Sequence, residues 1–303
     1  MSRCVGLPGL IGSNPLGALA SFGLLRTINE WDRGAKLGFK MEDDWVAYVE
    51  TQAAGSAFDL IQQLARWVRT EPLDRALAWA DDVRVPVDHY RNAMEDALSS
   101  ADPSLAHFLT ALAADGAVDG QKALIKPSAF YMVSGQQSFL GGMRDILTHV
   151  RLDPESAFSE ALVGPWRYQT PLHSLGWDPN TERLYALRAR APTSEKPYCV
   201  APAVLLAFWS LPLFPVVSKR GRAQTTGFVR RNGYQSLAWP IFSAPIDLGE
   251  LRSLIHAGEG AWRSFSGGLR TGIESVFRSR RAEFGQGYAV LRNALGGQRA
   301  LSD

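Results

Sequence analysis

An apolar segment that starts at Asn14-Pro15 sets the strongest constraint on how this chain folds. A capping Asn followed by the fixed φ of Pro is typical of a helix start. The apolar residues after it cover the whole circumference of the predicted helix: Leu16, Leu19, Phe22, Leu24, Leu25 and Ile28. Since such a helix has no polar face for solvent, we predict that it is buried.

A second apolar segment, residues 199–217, is long enough to be compared with a membrane span. Three prolines would leave backbone groups unpaired in lipid: Pro202, Pro212 and Pro215. We therefore predict a buried helix followed by a core strand, and no membrane contact.

The overall composition favours a folded, intracellular protein. Apolar residues make up 46% and charged residues 20% of the 303 residues, which is ordinary for a globular protein. Glycines and prolines interrupt the N-terminal apolar stretch, unlike the apolar run of a secretory signal. The two cysteines, Cys4 and Cys199, are too few for a disulfide framework or a four-cysteine metal site. We expect a cytoplasmic location.

Periodicity predicts an α+β fold. Alternation at 35–39 and 45–49 predicts an antiparallel hairpin, and a period of 3.6 over 54–114 predicts three or four helices. The apolar residues at this spacing line three helix faces: Phe58, Ile61, Ala65 and Val68, then Tyr90, Met94 and Leu98, then Leu105, Phe108, Leu109 and Leu112. The chain divides into a helix-rich region 1–163, with the N-terminal buried helix and a small hairpin, and a basic mixed region 164–303 with antiparallel strands.

The clearest local signals lie in the second region. Residues 224–239 contain two strand-like runs around Asn232-Gly233, the dipeptide that favours a two-residue type I′ turn. Alternation over 273–284 predicts a strand. Its arginines divide between two faces, Arg278 and Arg280 on one and Arg281 on the other.

The chain carries no motif of metal or covalent catalysis. No two of its histidines stand at i, i+3 or i, i+4, so a histidine zinc site is not expected. The histidines are His89, His107, His149, His173 and His256. No dinucleotide fingerprint, Walker-type loop or Gly-x-Ser-x-Gly elbow occurs. We expect no cofactor, no metal and no catalytic residue, while an enzyme whose site is assembled from distant residues stays open as an alternative.

Positive charge is concentrated late in the chain. Residues 219–303 contain 13 Lys and Arg against 6 Asp and Glu, whereas residues 1–218 carry a net charge of −5. The predicted nucleic-acid-binding residues are Lys219, Arg220, Arg222, Arg230, Arg231, Arg278, Arg280 and Arg281. Guanidinium groups suit phosphates, and the aromatic residues interleaved with them suit bases. Those aromatic residues are Phe228, Tyr234, Phe277, Phe284 and Tyr288. The alternatives are ion pairs with the acidic first region, or a solvated strand edge.

Short motifs along the chain resemble those of CRISPR-associated proteins. They occupy 14–26 (NPLGALASFGLLR), 134–140 (SGQQSFL), 175–179 (LGWDP), 203–217, 225–228 (TTGF), 239–242 (WPIF) and 276–281 (VFRSRR). The resemblance is to subunits encoded with type I-G effector systems, formerly I-U, including large-subunit-like members. It implies a non-catalytic subunit that contacts the end of the guide RNA, reads the motif flanking the target duplex and helps to separate its strands.

The chain looks short beside a complete large subunit, so we expect a C-terminal helical domain to be absent or supplied by another polypeptide. No functional residue is transferred from the family. We expect a nucleic-acid-binding subunit of a type I CRISPR surveillance complex. Its partners would be CRISPR RNA or target DNA, other effector-complex subunits and a recruited helicase-nuclease. A structural adaptor that binds other proteins through its tryptophans and apolar helices is the alternative from a different class.

Overall fold

A computed structural model describes residues 2–100, 103–134, 137–181, 198–265, 272–284 and 288–296. Its helices are α1 (Pro15–Ile28), α2 (Ala57–Trp67), α3 (Glu71–Ala78), α4 (Val87–Ser99), α5 (Ser104–Leu112), α6 (Phe139–Leu152), α7 (Pro154–Leu162), α8 (Ala201–Ser210) and α9 (Leu248–Phe265). Its strands are β1 (Arg3–Ile11), β2 (Lys36–Met41), β3 (Trp45–Thr51), β4 (Ala113–Val118), β5 (Ile125–Pro127), β6 (Val216–Lys219), β7 (Arg222–Thr225), β8 (Phe228–Arg231), β9 (Tyr234–Phe242), β10 (Ile273–Phe284), β11 (Tyr288–Leu291) and β12 (Leu295–Gly296). The predicted α+β class is confirmed.

The two apolar helices, α1 and α8, pack against each other at the centre of the protein. Every residue of α1 except Arg26 is buried, and so is every residue of α8. At Gly23 the backbones meet so closely that an added Cβ would lie 1.7 Å from the Leu206 carbonyl oxygen. The predicted burial of both helices is confirmed. The predicted core strand after α8 is wrong, because only Val216 of β6 is buried and the other three residues face solvent.

A three-stranded antiparallel sheet in the order β1-β3-β2 covers one side of α1. The hairpin predicted around residues 35–49 is confirmed as β2 and β3, in which Leu37 pairs with Val49. Strand β1 was not predicted, because Gly6, Pro8 and Gly9 interrupt its alternation. It pairs with β3 along Arg3 to Leu7 before its register shifts.

The helical run predicted over 54–114 is confirmed as α2 to α5, but two of the apolar residues at helical spacing do not face the core. Phe58 is 66% exposed and Leu98 is 70% exposed. In α2 the buried face consists of Leu60, Ile61, Leu64, Ala65 and Trp67. Phe58 lies outside this face because the contacts of α2 with α7 and β1 determine which side of the helix is buried.

The second sheet has the order β11-β10-β9-β8, with β12 pairing with β10. It joins the first sheet through reciprocal backbone hydrogen bonds between Leu37 and Ile246, both 2.9 Å long. The indole nitrogen of Trp239 also donates to the Gly12 carbonyl at 2.8 Å. One continuous buried cluster therefore contains residues from both sides of position 164. The division of the chain into two regions at that position stays a prediction.

Helix α9 lies against this second sheet. Asp247 and Glu250 form a reciprocal capping box at its start, each side chain accepting from the backbone N–H of the other at 2.8 Å. Trp262 of α9 packs with Ala238 and Val276 of the sheet. No helix in the described part of the chain has the length and apolar content needed to cross a bilayer.

Candidate nucleic-acid interface

Two short β-hairpins carry most of the predicted binding residues. Hairpin A consists of β6 and β7, and hairpin B consists of β8 and β9. Each turns through two residues with positive φ: Arg220 (52°) and Gly221 (70°) in hairpin A, and Asn232 (47°) and Gly233 (80°) in hairpin B. Positive φ at both central positions is the signature of a type I′ turn, so the turn predicted at Asn232-Gly233 is confirmed.

The predicted extent of hairpin B, 224–239, is wrong at its first end. Gln224 pairs with Val217 in hairpin A, and hairpin B begins only at Phe228. The two hairpins separate at Gly227, whose φ of +81° ends the strand. Hairpin A itself was missed because an Arg at a positive φ is uncommon and gives no turn signal in the sequence.

Six of the eight predicted binding residues have exposed side chains on or beside the hairpins. They are Lys219, Arg220, Arg222, Arg230, Arg231 and Arg280. No described carboxylate lies within ion-pairing distance of any of the six. The alternative that these six are neutralised by ion pairs with the acidic first region thus finds no support among the described residues.

A cleft of about 470 Å³ opens between hairpin A, hairpin B and α9, and we call it the basic cleft. Its lining brings Arg222 of hairpin A together with Arg230 of hairpin B. Gln224, Gln235 and His256 add polar groups to the same surface, and Glu259 of α9 adds a carboxylate. Guanidinium and amide donors that converge in this way are suited to phosphate oxygens.

Arg280 is presented by β10 next to hairpin B. Its guanidinium carbon lies 3.4 Å from the centroid of the Tyr234 ring, which is itself 51% exposed. This stacking fixes the plane of the guanidinium group while leaving its N–H groups available. Tyr234 is thereby the one predicted base-stacking aromatic residue that lies exposed beside the six cations in the described ranges.

Arg278 lies on the face of β10 that α9 covers. Its side chain is 12% exposed and forms an ion pair with Glu259 of α9, whose side chain is 4% exposed. A buried guanidinium group committed to a carboxylate does not offer its N–H groups to a ligand in this conformation. The strand and the faces predicted for β10 are confirmed, but alternation alone did not show that α9 covers one of them.

Arg281 lies on the opposite face of β10. Its side chain is 11% exposed and donates to the carbonyl oxygens of Ala129 and Tyr131 at 3.1 and 3.2 Å, and it pairs with Glu283. Burial lowers the pKa of Arg281, and the charge of Glu283 opposes that shift. The guanidinium group therefore ties β10 to the segment that follows β5.

Two of the interleaved aromatic residues are also occupied by packing. Phe228 stands edge-on to Phe130 at 4.9 Å, and Phe277 stacks on Trp239 at 6.0 Å. Because these rings pack within the protein, they are not platforms for bases in this arrangement. Sequence spacing identified these aromatic residues but did not show that their rings pack against other rings of the protein.

The structure adds one cation that sequence reasoning missed. Lys126 of β5 reaches the turn of hairpin A, where its ammonium group lies 3.4 Å from the Gly221 carbonyl oxygen. The two residues are 95 positions apart, and only the packing of β4 and β5 against hairpin A brings them together. A short basic signal in the sequence around Lys122 and Lys126 was the one indication available.

Among the described residues, no three His, Cys, Asp or Glu side chains converge in a way that suits a metal ion.

No protein-family model matches the chain, and a comparison with curated proteins finds no match.

Proposed function

We propose that this chain is a non-catalytic nucleic-acid-binding protein whose hairpins A and B hold phosphate groups along a single strand or duplex. The observation that carries the proposal is the group of six exposed cations without a described carboxylate partner, two of which line the basic cleft. Lys126 extends the group.

The backbone of both hairpins supports this role. Two-residue type I′ turns hold their strands in a fixed right-handed twist, so the cations beside them have little backbone freedom to lose on binding. A two-stranded ribbon also fits the major groove of a duplex, where an Arg forks onto the two acceptors of guanine. Arg231 at the tip of hairpin B is the residue we assign to such a contact.

The resemblance to type I-G effector subunits extends this proposal to a CRISPR surveillance complex. In that setting the hairpins would hold CRISPR RNA or target DNA, and the remaining surface would contact other effector subunits. Catalysis would belong to a recruited helicase-nuclease. This wider role depends on the sequence motifs alone, whereas the phosphate-holding role also draws on the geometry of the hairpins.

The test compares two fourfold variants that lose the same charge. The hairpin variant replaces Arg220, Arg222, Arg230 and Arg231 with Gln, and the control variant replaces Arg33, Arg66, Arg167 and Arg252, which are exposed elsewhere, with Gln as well. Binding to fluorescent single-stranded RNA and to duplex DNA is measured by anisotropy from 50 to 300 mM salt, roughly the range over which counterion release dominates.

Removal of one cation that neutralises a phosphate reduces the steepness of log K against log salt by about 0.9 for a duplex and about 0.7 for a single strand. We expect the slope of the hairpin variant on duplex DNA to fall by about 3 to 4, and that of the control variant by less than about 1. Equal reductions in the two variants would show only a response to net charge, and would contradict a site at the hairpins.

A further inference from the structure

A cavity of about 700 Å³ opens at the start of α1 and shares no lining residue with the basic cleft. Its volume falls in the range of small-molecule sites, roughly 300–1,000 Å³. Five separate parts of the chain form its wall: residues 8–15 at the end of β1 and the start of α1, the β2–β3 turn, and residues 163–168, 179–180 and 293–294. We call it the aromatic–amide cavity.

One side of the cavity is aromatic. Trp166 and Tyr168 meet edge to face, with 6.3 Å between their ring centroids. Trp166 is held by its indole N–H, which donates to the Ala161 carbonyl at 3.2 Å, and its ring stays partly exposed to the cavity. A fixed, partly exposed indole ring offers a planar ligand a stacking surface.

A fully buried carboxylate holds this aromatic side in place. Asp178 is 0% exposed, accepts from the backbone N–H of Asn180 at 3.0 Å, and is hydrogen-bonded by the side chains of Tyr168 and Asn14. The Asn180 side-chain amide in turn donates to the Tyr168 hydroxyl at 2.8 Å. Burial raises the pKa of Asp178, and the three donors oppose that shift. Asp178 is therefore a positioning residue for the cavity wall.

The lining does not suit a phosphate. None of the described residues that form it is Lys, Arg or His, and Asp44 adds a carboxylate. The first amides of α1 already have an acceptor, because Asn14 Oδ1 takes the N–H groups of Leu16 at 2.8 Å and Gly17 at 3.2 Å. An anion would therefore meet repulsion and few donors here.

Asp44 instead presents an acceptor to a ligand. Its two carboxylate oxygens accept from the Ser13 hydroxyl at 2.5 Å and the Trp45 backbone N–H at 2.6 Å, which fixes the group while leaving further lone pairs on each oxygen. Asn293 adds an exposed amide to the rim. A neutral, planar ligand with N–H donors along one edge matches this arrangement.

We propose that the aromatic–amide cavity binds a nucleobase that bears an exocyclic amino group, with the ring against Trp166 and the amino group against Asp44. Guanine, adenine and cytosine carry such a group, and uracil does not. The base belongs either to a free nucleoside or to a nucleotide splayed out of a single strand. The site is independent of hairpins A and B.

The full chain is titrated with guanosine, adenosine, cytidine and uridine by calorimetry. Nucleosides carry no phosphate, so the result does not depend on the hairpin cations. We expect saturable binding of the three amino-bearing nucleosides and at least tenfold weaker binding of uridine. Trp166→Ala should weaken binding about tenfold, as expected for the loss of one stacked base, while Trp166→Phe keeps a ring in place and retains most of it.

Asp44→Asn tests the edge contact and should reduce the preference for cytidine over uridine to within about threefold. The matched control is Asp43→Asn, which removes the neighbouring exposed carboxylate that does not line the cavity. Failure of all four nucleosides to bind would overturn the proposal, as would equal affinity for cytidine and uridine in the parent protein. If a short oligonucleotide with one unpaired guanine displaces bound guanosine, the base comes from a strand. If it does not displace guanosine, the ligand is the free nucleoside.

Discussion

Replacing Arg278 with Leu should destabilise the protein by about 3–5 kcal/mol, because the substitution breaks the buried ion pair between Arg278 and Glu259. The estimate rests on burial, since only 12% of the Arg278 side chain and 4% of the Glu259 side chain are exposed. An exposed pair would contribute only about 0–1 kcal/mol.

The assay is thermal and urea unfolding followed by circular dichroism. For a chain of 303 residues, a loss of about 3–5 kcal/mol should lower Tm by roughly 5–8 °C. Arg252→Leu on the exposed side of α9 is the matched control, and it should change the free energy of unfolding by less than about 0.5 kcal/mol. The double variant Arg278→Leu, Glu259→Leu removes both charges and should recover at least half of the loss.

Two results would refute this reasoning. If Arg278→Leu unfolds within about 1 kcal/mol of the parent, the pair is not the buried, desolvated contact that the structure shows. If the double variant is no more stable than the single one, the cost comes from poorer packing rather than from breaking the ion pair. Nucleic-acid binding by the folded variant should stay within about threefold of the parent, because Arg278 lies under α9.

Three further predictions concern the framework. Gly23→Ala should destabilise the protein by about 3 kcal/mol or more in urea unfolding, because the added Cβ would lie 1.7 Å from a carbonyl oxygen of α8; an unchanged midpoint would show that the helices separate freely. Asp247→Ala removes the cap of α9 and should cost about 1 kcal/mol, whereas Asp247→Ser, which retains an acceptor, should cost much less. Hydrogen bonding from Arg151 lowers the pKa of Asp74, so its stabilisation is present above the ordinary pKa of about 3.9 and is lost as pH falls through the folded value. Asp74→Asn should therefore cost up to about 1 kcal/mol at pH 7 and progressively less as pH falls below about 4, and a cost that does not change with pH would contradict this.

Local chemistry predicted those parts of the fold whose conformation is decided locally. The Asn14 cap, the positive-φ turn at Asn232-Gly233 and the strand over residues 273–284 all appear where the residues indicate them. Strand β1 was beyond such reasoning, because a strand containing Gly6 and Pro8 is defined by its pairing with β3 rather than by its own propensity.

The sequence predicted which residues form the candidate site, but not which of their side chains face solvent. Sequence spacing identified all eight cations. It did not show that other elements cover Arg278 and Arg281 while Arg280 stays exposed. The covering element is α9 for Arg278 and the segment after β5 for Arg281. Long-range packing of this kind leaves no local signal, and the same reason hid Lys126 from sequence reasoning.

The contact between α1 and α8 also joins two segments that the ribosome synthesises at different times. Arg26 donates to the Trp209 carbonyl at 3.0 Å across a separation of 183 residues, so α1 leaves the ribosome long before its partner exists. At about 5–20 residues per second, that interval lasts on the order of ten to forty seconds. During this time the apolar face of α1 that α8 covers has no partner within the chain, so the yield of folded protein should fall when translation is slowed between the two helices.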